Sequence, residues 1–143
     1  MPTKLAIRPW PRPLTPEWSK FSATAESIYL DFLTRGASKN VALAFLANAE
    51  LVSGLNADQP GGLYGKTSPI EEGPLPDIAE QNAVAWEQLE ESRELGLRHV
   101  LTATSAGEAA RTLAQYWIRP SDHDDLERVA MMADRWIKQG NLG

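Results

Sequence analysis

Over residues 38–56 the chain reads SKNVALAFLANAELVSGLN, and apolar residues occupy every side of the helix this pattern implies. Leu43, Leu46 and Ala47 fall on one side, and Val41, Phe45 and Val52, with Asn48, on another. A helix that is apolar all round is a buried one. Ser38 supplies an N-cap oxygen and Gly54 a left-handed C-cap, so the pattern predicts a buried central helix over about 39–53. The run is shorter than the roughly 20 apolar residues a bilayer crossing needs, so it predicts a protein core and no membrane partner. Within its apolar part the one charge is Glu50. Desolvation and the helix C-terminus both disfavour an ionised carboxyl there, which is the setting of a general acid. The alternative is a side chain that reaches solvent through a gap in the core.

The flanking pattern predicts four more helices. Phe21, Ala25, Ile28 and Phe32 fall at i, i+4, i+7 and i+11, one buried face of a helix capped by Thr15, opened by Pro16 and ended by Gly36. Asp77 with Glu80 makes a capping box for a helix to about Leu95, with Ile78, Ala85, Trp86 and Leu89 inward and Gly96 as its stop. Ser105 with Glu108 opens the next, which carries Ala109, Leu113, Tyr116 and Trp117 on one side until Pro120 breaks it. The last begins among Ser121, Asp122 and Asp124, buries Leu126, Val129, Ala130, Ala133, Trp136 and Ile137, and ends near Gly140. Five helices with no strand and no internal repeat predict an all-α fold.

Two stretches lie outside this pattern. Residues 1–16 hold five of the ten prolines, with Trp10 and basic residues between them, and predict an extended arm ahead of a single helical domain over 17–143. The arm either docks on a neighbour or on its own domain through Trp10, or is a loosely held leader. Residues 56–76, rich in Gly and Pro, predict a long irregular loop, the natural rim of a cleft.

Composition narrows the chemistry. The 143 residues carry a net charge of −5 with no basic stripe, which argues against a nucleic-acid partner. With no Cys there are no disulfides, thiol nucleophiles or thiolate metal sites. The N-terminus lacks the uninterrupted apolar stretch of a signal peptide. Residues 61–67, GGLYGKT, are one residue short of a phosphate loop and follow no strand, so they predict a turn and no nucleotide cofactor. The carboxylates and His123 of residues 121–125 are metal-ligand types, but they stand where a helix start favours acids, and His99 is the only other histidine. The expectation is capping, with no metal and no Ser-His-Asp triad.

Two runs together carry a resemblance: AESIYLDFLTRG over 25–36, then VALAFLANAELVSGLN over 41–56. With residues 81–95, 103–110 and the Trp117-Ile118-Arg119-Pro120 stop, this order of segments resembles the phage tail lysozyme family over about residues 22–137. That family is a branch of the lysozyme-like superfamily, related to lytic transglycosylases and goose-type lysozymes. The resemblance implies a lysozyme-like helical fold and a place in a phage virion or tail. In the family the motif N-x-x-x-E-S-G-[FL]-N carries the catalytic acid. Here Asn48, Ser53, Gly54, Leu55 and Asn56 match it and put Val52 in the slot of the Glu. A later E-R-P word reads Ile118-Arg119-Pro120, and the family's G-L-x-Q-W reads GLYGK over 62–66. Two acidic positions have thus become aliphatic. Glycosidic cleavage needs a carboxyl that protonates the leaving oxygen, and valine cannot. At about 100° per residue Glu50 points nearly opposite to Val52.

Two readings follow from the resemblance. One is a catalytically degenerate domain, structural in a virion or tail, tied to its neighbours by the proline arm and keeping a peptidoglycan groove with Asn48, Ser53, Asn56 and Tyr64 as polar contacts. The other is an active muramidase or lytic transglycosylase whose acid is Glu50, or Glu71 or Glu72 from the loop. A helical adaptor with no glycan site is a third.

Overall fold

The computed structural model describes residues 16–56, 62–65, 77–91 and 95–140. The arm expected over 1–16 lies outside these residues but for Pro16, as does most of the 56–76 loop, including Glu71 and Glu72. Six helices make up the described chain: α1 (Pro16–Thr34), α2 (Lys39–Ser53), α3 (Ile78–Glu91), α4 (Leu95–Thr102), α5 (Ala106–Leu113) and α6 (Asp124–Gly140). Among the described residues there is no strand, and no helix is long and apolar enough to cross a membrane. The fold is all-α with five substantial helices.

The centre is α2. It packs against α1, α5 and α6, and every residue from Val41 to Ala49 is buried. Both ends match the sequence. The Ser38 hydroxyl accepts from the Val41 N–H at 3.2 Å, and Gly54 takes φ 62° as the left-handed cap. The next residue, Leu55, is also left-handed at φ 64°, a conformation that costs an L-residue, and its side chain is buried. Two successive left-handed residues turn the chain sharply off the end of α2.

Two elements differ from expectation. The third helix stops at Glu91, and a separate α4 begins at Leu95 with Gly96 inside it, not as the stop of its predecessor. Glycine weakens a helix interior by about 1 kcal/mol, but as second residue of α4 it sits where helical bonding is still incomplete. Fully buried Val100 then holds α4 in the core. The end of α5 widens into a π turn over Ala114–Ile118, closed by the Arg119 N–H on the Ala114 carbonyl at 2.7 Å. The wider turn changes the phase of the helix and places Trp117 in the core, where its ring lies 5.8 Å from Phe45 and 5.5 Å from Tyr64. Phe32 stacks on Phe45 at 4.1 Å, and Trp86 meets both edge-on.

Candidate functional site

The last turn of α2 sends two neighbouring side chains in different directions. Glu50 faces α6. Its carboxylate receives the Arg135 guanidinium, at 2.6 Å from Oε2, and the Trp136 indole N–H, at 2.8 Å from Oε1. The expected lone carboxylate therefore has two partners, both donors, and acts as an acceptor. Arg135 also lies over the Trp136 ring at 5.4 Å, and the indole is fully buried. A buried indole N–H needs an acceptor, and Glu50 provides it. The partners stand 85 and 86 residues away along the chain, so the pattern around Glu50 could not reveal them.

Val52 faces the turn formed by residues 62–65. Its Cγ1 would stand 3.2 Å from a Cβ added at Gly65, so the Val52 methyl packs closely against the Gly65 backbone. The turn closes on the Gly65 N–H to Gly62 carbonyl bond at 3.3 Å and buries Leu63 and Tyr64.

The four residues named as glycan contacts are not brought to one surface. Asn48 is fully buried, and its amide donates to the Ala44 carbonyl at 2.8 Å and the Ala110 carbonyl at 3.1 Å, bridging α2 to α5. Ser53 is buried and donates back to the Ala49 carbonyl at 2.8 Å. Tyr64 is buried in the aromatic core, and Asn56 alone is exposed.

Around Tyr64 the structure shows a chain of polar groups that periodicity did not single out. The phenol donates to Asn82 Oδ1 at 2.5 Å, Asn82 Nδ2 donates to the Asp31 carboxylate at 2.9 Å, and Arg35 Nε donates to the same Asp31 oxygen at 3.2 Å. Gln81 Oε1 accepts from the Leu63 N–H at 2.7 Å. Burial, and after it the Asp31 charge, push the Tyr64 phenol well above its ordinary range. The sequence held one signal: Asn82 falls on the inward face of α3 with Ile78, Ala85 and Leu89, a polar residue in an apolar series.

At the start of α6, Asp122 Oδ1 accepts from the Asp124 N–H at 2.9 Å and Asp125 pairs with Arg128 at 2.9 Å, so these carboxylates cap and pair. Among the described residues no group of three or more His, Asp and Glu side chains is placed to hold a metal ion. A depression of about 520 Å³ on α6 is lined by Arg128, Met131, Met132, Asp134 and Arg135.

No family model matches the chain, and neither a curated protein nor a solved structure is found to be similar to it.

Proposed function

We propose that this chain is a non-catalytic, lysozyme-like helical domain with a structural role, in the setting that its sequence resemblance implies, a phage virion or tail. One observation carries the reading. The carboxylate of α2 is turned to α6 and accepts from Arg135 and Trp136, while the position of the family's acid is Val52, packed beside Gly65. The last turn of α2 then offers no proton to a glycosidic oxygen. The inward hydrogen bonds of Asn48, Ser53 and Tyr64 support the same reading, because polar groups spent inside the fold are not available to a sugar. The peptidoglycan and tail context rests on the resemblance alone.

Release of soluble muropeptides from purified peptidoglycan tests it, with the wild type, Glu50→Gln and Val52→Glu compared. The wild type is expected to release nothing. Glu50→Gln is expected to lower the melting temperature while changing no activity, since it weakens a structural ion pair. Release by the wild type that Glu50→Gln abolishes would overturn the proposal and make Glu50 the acid of an active glycosidase. Release by the wild type that survives Glu50→Gln would overturn it in favour of a loop carboxylate.

A further inference from the structure

The outer face of α6 has an order of its own. Met131, 69% exposed, stands at its centre. Four charged residues flank it in two pairs seven residues apart, Glu127 with Asp134 and Arg128 with Arg135. Residues seven apart share one edge of a helix, so acids run along one side of Met131 and arginines along the other. Their contacts agree with this. Glu127 pairs with Arg111 of α5 at 3.1 Å and Asp134 lies over Gly107 of α5, whereas Arg135 reaches Glu50 of α2. The acidic edge therefore borders α5, and the basic edge turns toward α2.

Such a face complements a copy of itself in one orientation. Where two copies of α6 lie parallel about a two-fold axis, the acidic edge of each meets the basic edge of the other. Glu127 then faces Arg128 of the second copy, and Asp134 faces its Arg135. Antiparallel copies would put acid on acid and arginine on arginine. Edge charges set partner and orientation in paired helices in this way. In the parallel order Met131 meets its own counterpart on the axis. The depression beside it, lined among the described residues by Arg128, Met131, Met132, Asp134 and Arg135, receives the second thioether. Helices paired like this cross at about 20°, which carries Asp124, at the start of α6, away from its counterpart.

The edge charges are open to a second copy. Asp134 is exposed and has no ion-pair partner among the described residues. Glu127 and Arg128 are both exposed, and their pairs with Arg111 and Asp125 are surface pairs, weak and readily shared. Glu50 takes Arg135 through one terminal nitrogen, Nη2, and leaves the guanidinium part-exposed.

From this pattern we propose that the outer face of α6 binds a second copy of the chain as a parallel two-fold pair, with Met131 at its centre and acidic and basic edges in register. A single helix face from each copy is a small interface beside the roughly 1,000 Å² of a lasting one, so the pair forms reversibly and parts on dilution. The inference rests on α6 alone and is independent of any virion or glycan setting.

Sedimentation equilibrium of the whole chain over a range of concentrations tests it, beside Arg128→Glu, Glu127→Lys and an equimolar mixture of those two variants. The wild type is expected to pass from monomer to dimer as concentration rises, and added salt to weaken the step. Each variant replaces two opposite-charge contacts across the axis by two like-charge ones, and is expected to dimerise about tenfold or more weakly. The mixture is expected to recover the wild-type dimer, because each variant carries the charge that the other now lacks. Both positions are exposed, and helical circular dichroism checks that each variant folds. Met131→Glu, which sets like charges together on the axis, is expected to abolish the dimer. A wild type that stays monomeric, a dimer that the two exchanges leave as tight as before, or a mixture no tighter than its components overturns the proposal.

Discussion

At the scale of single residues, the fold repeatedly commits polar atoms to inward tasks. Glu50, Asn48 and Tyr64 each satisfy a partner on another element, and none was legible as such from its own neighbours. The residues that complete them lie far off in the chain, Arg135 and Trp136 for Glu50, Ala110 for Asn48, Asn82 for Tyr64. Local periodicity says that a residue faces inward, not what it meets there. Tyr64 has a consequence for pH. Its folded phenol is held neutral by burial while the unfolded chain's phenol ionises near pH ~10. The unfolded state therefore loses its proton first, and the fold is destabilised as pH climbs past that value, until the folded group itself ionises. Tyr64→Phe keeps the ring and removes the titrating group. Near neutrality it is expected to cost about 1–3 kcal/mol for the stranded Asn82 acceptor. Above pH ~10 the gap from the wild type should narrow, measured by denaturant unfolding at both pH values.

At the scale of elements, capping signals located helix ends well, and the central helix best of all. Ser38 and Gly54 bound α2 where the sequence put its limits, because an N-cap oxygen and a left-handed glycine are local chemistry. Asp77 and Ser105 likewise accept from the N–H three residues on. The Glu108 side chain bonds to Thr104 and not to Ser105, so the expected box is shifted by one residue. What stayed hidden was short or irregular. Helix α4 spans eight residues, too few for a clear period, and the π turn breaks the 3.6-residue repeat on which the pattern depends. The close approach of α2 to the 62–65 turn yields a second prediction. Gly65 has φ 68° and a Val52 methyl in the path of a Cβ, whereas Gly54, at φ 62°, faces open space. Gly54→Ala should cost about 1 kcal/mol for its backbone alone. Gly65→Ala should cost more, and Val52→Ala in the same chain should return the difference, measured by denaturant unfolding.

At the scale of the whole molecule, the all-α architecture followed from composition and period alone, and the buried helix from its unbroken apolar circumference. Of the contacts named for a cleft at the end of that helix, Asn48, Ser53 and Tyr64 turn inward and Asn56 is exposed, while most of the loop expected to form its rim lies outside the described residues. A contrast between centre and edge measures how far the molecule depends on α2. Leu46→Ala, fully buried there, should cost about 2–5 kcal/mol. Met131→Ala, on α6 and 69% exposed, should stay within about 0.5 kcal/mol. Thermal or denaturant unfolding of the pair checks both.

The position of α2 also bears on how the protein is made. Its cover comes from α1, which precedes it, and from α5 and α6, which are the last parts of the described chain. During synthesis the most apolar segment leaves the ribosome with only one of its three neighbours present. It stays without the other two while more than half of the described residues are still to be joined. The ion pair from Glu50 to Arg135 can close only when the final helix has emerged. A chain released early, short of α6, would carry a helix that is apolar on every side with the face that α6 covers left bare, and it would be a substrate for chaperones and proteases.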